Sequence, residues 1–201
     1  EAAIPSVIRD KEVKRIAPYA FEDCNVLKRI TIPSTLTRLS EQAFFGCGGL
    51  ESIEVDKSNS AFLSEGGVLF SKDRAALYVY PCNKPDEIYT IPSSVICIYD
   101  NAFFANTRAK KIVISDSVES VGNNAFREYP NLTDVILAST VTKIGTYSFA
   151  TNVGLSEIDL ANVKTIGDNA FLECSGFTSI NLPNADSIGE SAFLKCTGLE
   201  N

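Results

Sequence analysis

Residues 118–137 read VESVGNNAFREYPNLTDVIL, and the same pattern recurs along much of the chain. The apolar positions of this stretch are Val118, Val121, Ala125, Phe126, Leu132, Val135 and Leu137. Aligned on the phenylalanine, seven copies are centred on Phe21, Phe44, Phe103, Phe126, Phe149, Phe171 and Phe193. Five of the six spacings are 22 or 23 residues, and one is 59. A unit this short cannot bury its own apolar side, so the period predicts a solenoid of stacked coils.

Each unit contains two apolar segments joined by a compact turn. The segment L-x-x-I-x-I is rich in β-branched residues and predicts a short strand, called here the first strand. The segment V-x-x-I-G predicts a second extended piece, called here the second strand, which glycine ends at positions 122, 145, 167 and 189. Between them, x-x-A-F-x-x-C is too short for an independent helix. It predicts a single helical or 3₁₀ turn with phenylalanine facing inward.

Two parts of the chain depart from the repeat. Residues 1–12 resemble a repeat start of the wrong length, which predicts an irregular N-terminal coil that partly covers the end of the core. The 59-residue spacing places an insertion at about 57–85. Inside it, two aromatic-rich runs, 68–71 and 76–80, flank a polar turn and predict a β-hairpin. No linker interrupts residues 1–201, so we expect one solenoid domain of about eight coils, excerpted mid-repeat from a longer, processed protein.

Composition excludes several classes of function. Eighteen basic and 25 acidic residues give a net charge of −7, which argues against binding to nucleic acid or to anionic lipid. Histidine is absent, which removes the commonest general base and metal ligand. No apolar run is long enough to span a membrane, and no leader-like segment is evident. We therefore expect no cofactor, no metal and no catalytic residue, and an enzyme is the least favoured class.

The cysteines allow more than one interpretation. Four of them, Cys24, Cys47, Cys174 and Cys196, lie three residues after the repeat phenylalanine and should stack as buried, reduced side chains. Neighbouring coils are also close enough for disulfides within this ladder. Cys82 and Cys97 lie outside the ladder and are the better disulfide candidates in an exported protein.

The candidate binding residues are the outward positions of the first strands. In L-x-x-I-x-I the second, third and fifth residues should point away from the core. Val113 and Ile136 are apolar at the fifth position, beside Lys111 and Asp134, and an apolar centre with a charged rim is typical of interfaces. An ordinary solvated sheet face would have the same composition.

Two further groups complete the candidate set. Asp134, Glu157 and Asp159 could gather on one patch that holds a hard cation such as Ca²⁺, although exposed carboxylates on strands are common. Tyr78 and Tyr80 alternate along one predicted strand of the insertion, so they should share a face. That face either packs on the solenoid or forms a side wall of the binding surface.

The repeat resembles the treponemal-type leucine-rich repeat of BspA-like bacterial surface proteins. One copy is Leu27, Ile30, Ile32 and Pro33, followed by Leu36, Leu39, Ala43, Phe44 and Cys47. The insertion from Gly67 to Pro81 is similar to a variant repeat of that family. Asn106, Tyr129 and Asn152 replace the ladder cysteine, which we expect to loosen those coils.

The resemblance implies a right-handed α/β leucine-rich-repeat solenoid. A parallel sheet would line the concave face, and short strands with helical turns would form the convex face. It also implies a secreted or surface-anchored bacterial protein that recognises a protein or a polysaccharide. A structural spacer within a larger surface protein is the alternative.

Overall fold

A computed structural model describes residues 1–200, and every regular element in that range is a β-strand. Residues 1–56 contain Ala2–Ala3 (β1), Val7–Ile8 (β2), Lys11–Glu12 (β3), Arg15–Ile16 (β4), Arg29–Ile32 (β5), Arg38–Leu39 (β6) and Ser52–Val55 (β7). Residues 57–85 contain Phe62–Glu65 (β8), Val68–Ser71 (β9) and Ala76–Val79 (β10). Residues 86–200 contain Ile88–Thr90 (β11), Cys97–Ile98 (β12), Lys111–Val113 (β13), Ser120–Val121 (β14), Asp134–Ile136 (β15), Lys143–Ile144 (β16), Glu157–Ile158 (β17), Thr165–Ile166 (β18) and Ser187–Ile188 (β19).

The predicted parallel solenoid is confirmed. First strands pair in register from coil to coil, as β1-β5-β7 and as β11-β13-β15-β17. Their fourth-position residues form buried rows, such as Ile30 beside Ile53 and Ile112 beside Val135. Second strands form a separate set of parallel pairs, β4-β6 and β10-β12-β14-β16-β18-β19. A typical coil therefore contributes one strand to each set, whereas residues 177–182 form no first strand.

The helical turns predicted between the strands are wrong, because residues 1–200 contain no helix. In the coil of Phe126, Asn124 has φ 52° and Glu128 has φ 58°, and these left-handed values interrupt any helical turn. The N–H groups of Asn124, Phe126 and Glu128 instead donate to carbonyls of the next coil, at Thr146, Ser148 and Ala150. The turn is thus held by bonds between coils.

No helix in residues 1–200 is long and apolar enough to cross a membrane.

The repeat phenylalanines form a continuous aromatic stack in the C-terminal part of the molecule. Ring centroids are 4.7 Å apart between Phe103 and Phe126, 5.1 Å between Phe126 and Phe149, and 5.3 Å between Phe149 and Phe171. Phe103, Phe126, Phe149 and Phe171 are fully buried. The inward phenylalanine predicted from the repeat is therefore the centre of each coil.

In five of the seven coils, the residue three positions after the phenylalanine links neighbouring coils by a side-chain hydrogen bond. Its side chain donates to a backbone carbonyl of the preceding coil. The pairs are Cys47 with Phe21 (2.9 Å), Asn106 with Pro81 (3.0 Å), Asn152 with Phe126 (2.9 Å), Cys174 with Phe149 (3.0 Å) and Cys196 with Phe171 (3.0 Å). The expectation that asparagine loosens a coil is wrong at Asn106 and Asn152, because an amide makes the same bond as the thiol.

All six cysteines are free, so none of the disulfides considered above is formed in this structure. Of the four ladder cysteines, Cys47, Cys174 and Cys196 are buried as predicted, whereas Cys24 is only half-buried. Cys82 is also buried and its thiol donates to Phe104 O at 3.4 Å. Cys97 is half-buried in β12.

The insertion is a three-stranded antiparallel sheet, β8-β9-β10, that we call the dividing sheet. The predicted hairpin pair is present as β9 and β10, and β8 adds a strand that the sequence pattern did not predict. Gly66 (φ 55°) and Gly67 (φ 81°) form a two-residue turn between β8 and β9. Strand β10 then pairs in parallel with β12 and so rejoins the second-strand sheet.

The dividing sheet separates two apolar cores. Phe62, Leu69 and Val79 belong to the core of residues 16–79. Val68, Phe70, Leu77 and Tyr80 belong to the larger core that continues to Cys196. The insertion is therefore an internal wall of the solenoid with a core on each side.

Candidate binding surface on the first-strand sheet

The outward residues of β11, β13, β15 and β17 form two rows. The third-position row is Ile88, Lys111, Asp134 and Glu157, each paired in register with the next. The fifth-position row is Thr90, Val113 and Ile136, followed at the same repeat position by Asp159. Because their fourth-position neighbours point into the core, these residues are presented together on the opposite face. The structure thus brings together six of the eight residues predicted from the sequence.

Apolar side chains remain accessible on this face, at Ile88 on the edge strand β11 and at Ile136 on the inner strand β15. Ile88 is 62% exposed and Ile136 is 45% exposed, while Val113 is half-buried beside Ile136. We call Ile88, Thr90, Lys111, Val113, Asp134 and Ile136 the first-sheet patch. Neither Ile88 nor Ile136 is needed to fill the core, whose inward residues at this level are already buried.

Two ion pairs lie beside the apolar side chains of the first-sheet patch. Lys111 Nζ lies 2.5 Å from Asp134 Oδ2, and Lys110 Nζ lies 3.7 Å from Glu87 Oε1. Both pairs link neighbouring coils; the Lys110–Glu87 pair is exposed and the Lys111–Asp134 pair is half-buried at the surface, so each contributes about 1 kcal/mol or less to stability. Their larger effect is to fix the long lysine side chains beside the isoleucines and to set the charge pattern that a partner meets.

The acidic residues at the far end of the sheet do not form a metal site. Asp134, Glu157 and Asp159 all line a shallow open groove, but the Asp134 carboxylate is already paired with Lys111. One Asp159 oxygen accepts the Ala161 N–H at 2.9 Å. Within residues 1–200 no group of three or more acidic or cysteine side chains is placed to hold a metal ion. The structure therefore gives no support to the Ca²⁺ hypothesis.

The two tyrosines of the insertion do not belong to this surface, and they do not share a face. Tyr80 is 1% exposed, stacks on Phe103 at 4.8 Å and donates its hydroxyl to Asp86 at 3.0 Å. Tyr78 packs against the other core and stacks on Tyr99 at 4.3 Å. A bulge between Leu77 and Val79 breaks the alternation on which the prediction depended. The insertion packs into the solenoid, and Tyr80 is a core residue.

Ile88 is the residue that sequence reasoning missed. It occupies the third strand position of the coil after the insertion, where the other coils carry Lys111, Asp134 and Glu157. The signal was an isoleucine at an outward position. It was hidden because the long insertion leaves the start of that coil poorly defined in the sequence.

Comparison with known proteins assigns the repeat. The sequence profile of the BspA type leucine rich repeat region matches residues 1–66 and 79–200, in six copies. This chain belongs to the BspA-type leucine-rich-repeat family. The unmatched residues, 67–78, are β9 and most of β10 of the dividing sheet. The family assignment names no catalytic activity.

Solved structures with this architecture come from several bacteria. The pneumococcal vaccine antigen PcpA aligns with a TM-score of 0.78 and 26% identity over 96% of this chain and 48% of its own. A leucine rich cell surface protein from Faecalibacterium prausnitzii aligns with a TM-score of 0.77 and 27% identity, over 100% of this chain and 58% of its own. A leucine rich repeat protein of T. pallidum shares the fold, with a TM-score of 0.55 and 23% identity. The alignment covers 100% of this chain and 78% of the T. pallidum chain. This chain thus spans about half the length of the first two. Among curated proteins, none matches it.

Proposed function

We propose that this chain is a non-catalytic recognition module that binds a protein partner through the first-sheet patch. The observation that carries the proposal is the exposure of Ile88 and Ile136 on a rigid sheet, at positions the core does not require. Apolar side chains bordered by fixed charges supply both the contact area and the orientation that a protein interface needs.

A protein partner is favoured over a polysaccharide because the patch has no aromatic side chain. Sugar rings are commonly held by stacking on flat aromatic faces, and the two tyrosines that could have offered them, Tyr78 and Tyr80, are packed within the solenoid. The apolar residues at the patch are isoleucine and valine, which suit apolar side chains of another protein.

We place the protein at a bacterial cell surface or outside the cell. The support is the family assignment, together with the similarity to the leucine rich cell surface protein of Faecalibacterium prausnitzii. Adhesion to a host or neighbouring cell would follow from a binding face on such a protein.

A rigid spacer is the second candidate. It is supported by the second-strand sheet, in which β10 to β19 pair without interruption, and by the aromatic stack from Tyr80 to Phe193. A spacer needs this stiffness but no exposed isoleucines.

The test is a binding screen of residues 1–201 on arrays of immobilised extracellular proteins and glycans. The Val113→Asp/Ile136→Asp variant is run beside a matched Ile96→Asp/Val153→Asp control, whose two sites are exposed by 55% and 53% and lie outside the patch. We expect binding to protein spots that is weakened at least about tenfold by the patch variant and retained by the control. Binding confined to glycans, or equal binding by both variants, would overturn the proposal. A chain that binds nothing while fully folded would favour the spacer.

A further inference from the structure

Two arginines face each other on the second-strand sheet near the N-terminus. Strands β4 and β6 pair in register, so Arg15 lies beside Arg38 and Ile16 beside Leu39. Ile16 is buried and Leu39 half-buried, whereas both arginines are exposed. The two guanidinium groups therefore leave the sheet on the same outward face, from strands about 4.8 Å apart.

No carboxylate in residues 1–200 offsets the positive charge of the two arginines. Neither Arg15 nor Arg38 forms an ion pair with a carboxylate among residues 1–200. Like charges directly opposite each other on neighbouring strands are destabilising. At the same strand position in the larger second-strand sheet, Lys143 is flanked in register by Ser120 and Thr165, so this like-charge contact is avoided there. Folding alone gives no reason for two adjacent arginines.

The two arginines border an open groove that also contains polar side chains. Its other lining residues are Leu39, Ser40 and Glu41. Ser40 Oγ accepts the Gln42 N–H at 3.4 Å, which leaves the hydroxyl proton free to donate into the groove. Glu41 also lines the groove, and burial, followed by the nearby Asp100, raises the pKa of its carboxyl.

We propose that Arg15 and Arg38 form a binding site for a sulfate or phosphate ester group. The planar guanidinium presents donors in a fork that matches the oxygens of such groups, and two forks side by side can engage one tetrahedral anionic group from both sides. The site uses the second-strand sheet, whereas the first-sheet patch uses the other sheet, so it is independent of the proposed function.

The experiment is a titration by isothermal calorimetry or NMR with glucose 6-sulfate and glucose 6-phosphate in separate arms, and with acetate as a carboxylate arm. The variants are Arg15→Ser and Arg38→Ser, with Lys143→Ser as the matched control for loss of one exposed cation at the same position of a second strand. We expect binding of at least one ester to weaken about tenfold or more in each arginine variant and less than about twofold in the control. The two ester arms identify which group the site prefers.

A second measurement separates a binding role from a structural one. Without ligand, Arg38→Ser should raise the midpoint of thermal unfolding, because it removes the like-charge contact, and added ester should no longer stabilise the variant. The proposal is overturned if Lys143→Ser weakens binding as much as Arg38→Ser does. It is equally overturned if acetate binds as well as both esters, or if neither ester binds at about 10 mM.

Discussion

Phenylalanine at one position of the repeat organises each coil, and the residue three positions later ties that coil to its neighbour. The phenylalanine ring stacks on the rings above and below it, as Phe126 does at 4.7 Å and 5.1 Å. The later residue, cysteine or asparagine, donates to a buried carbonyl. Both interactions recur along the solenoid. Because each one joins two coils, its loss destabilises both of them.

The aromatic stack makes a direct prediction about core residues. Phe126→Ala and Phe149→Ala should each reduce the free energy of unfolding by about 3–5 kcal/mol, because both rings are fully buried and a cavity would remain. Denaturant melts give the value, with exposed Ile136→Ala as a control that should change it by less than about 0.5 kcal/mol. A loss below about 1 kcal/mol for either phenylalanine would mean that the ring is not central to the core.

The bridging asparagine makes a second prediction. Asn152 Nδ2 donates to Phe126 O, and Asn152 Oδ1 accepts the Tyr129 N–H, both at 2.9 Å. Asn152→Ala leaves two buried backbone groups without partners and should cost about 2–4 kcal/mol. Asn152→Cys restores the donor used in other coils, so it should recover part of that loss. Equal stability of the alanine and cysteine variants in urea melts would contradict the role assigned to this bond.

Buried thiols predict how stability changes at high pH. Burial raises the pKa of Cys82 and Cys174 to about 12, well above their ordinary value of about 9.0. Between these values the unfolded chain loses protons that the folded chain keeps, so the free energy of unfolding falls as the pH rises. We expect a loss of about 1–2 kcal/mol between pH 9 and pH 10. The slope should be shallower in a Cys82→Ala/Cys174→Ala variant, and an unchanged slope would show that these thiols are not the cause.

At the scale of elements, the turn between β8 and β9 tests how tightly the dividing sheet fits against the first-strand sheet. A Cβ added at Gly67 would lie 2.7 Å from Ser52 Oγ, whereas one added at Gly66 has no atom within 4 Å. Both residues have positive φ, which asparagine tolerates better than other side chains. Gly67→Asn should therefore destabilise the protein by about 1–3 kcal/mol more than Gly66→Asn, by thermal or urea unfolding. Matching losses at the two positions would indicate that Ser52 moves aside without cost.

The elements also show where sequence reasoning succeeds and where it fails. Period and β-branched residues located the two strands of each coil, because burial of Ile112 or Val135 in a parallel ladder needs only a repeated apolar pattern. The helical turn was wrong because bonds to the next coil, such as Phe126 N–H to Ser148 O, are invisible in a single unit. The prediction that Tyr78 and Tyr80 share a face was wrong because nothing in the sequence marks the bulge after Leu77.

At the scale of the whole molecule, the two sheets and the dividing sheet form a scaffold with different outward chemistry on each side. The first-strand sheet presents exposed isoleucines bordered by ion pairs, and the second-strand sheet presents the unpaired Arg15 and Arg38. Outward rows could be predicted from the repeat, since their positions follow from strand alternation. The ion pair of Lys111 with Asp134 and the accessibility of Ile88 required the register of neighbouring coils.

Site-specific photo-crosslinking tests the central claim, that partners bind on the first-sheet patch, most directly. A photoreactive phenylalanine derivative is placed at Ile88 or Ile136, and at Ile96 or Val153 as controls of similar exposure. Each labelled chain is irradiated with the protein that it binds most strongly in the array screen. We predict covalent adducts from positions 88 and 136 and only background from positions 96 and 153. Adducts from 96 or 153 without any from 88 or 136 would show that binding occurs elsewhere and would contradict the account.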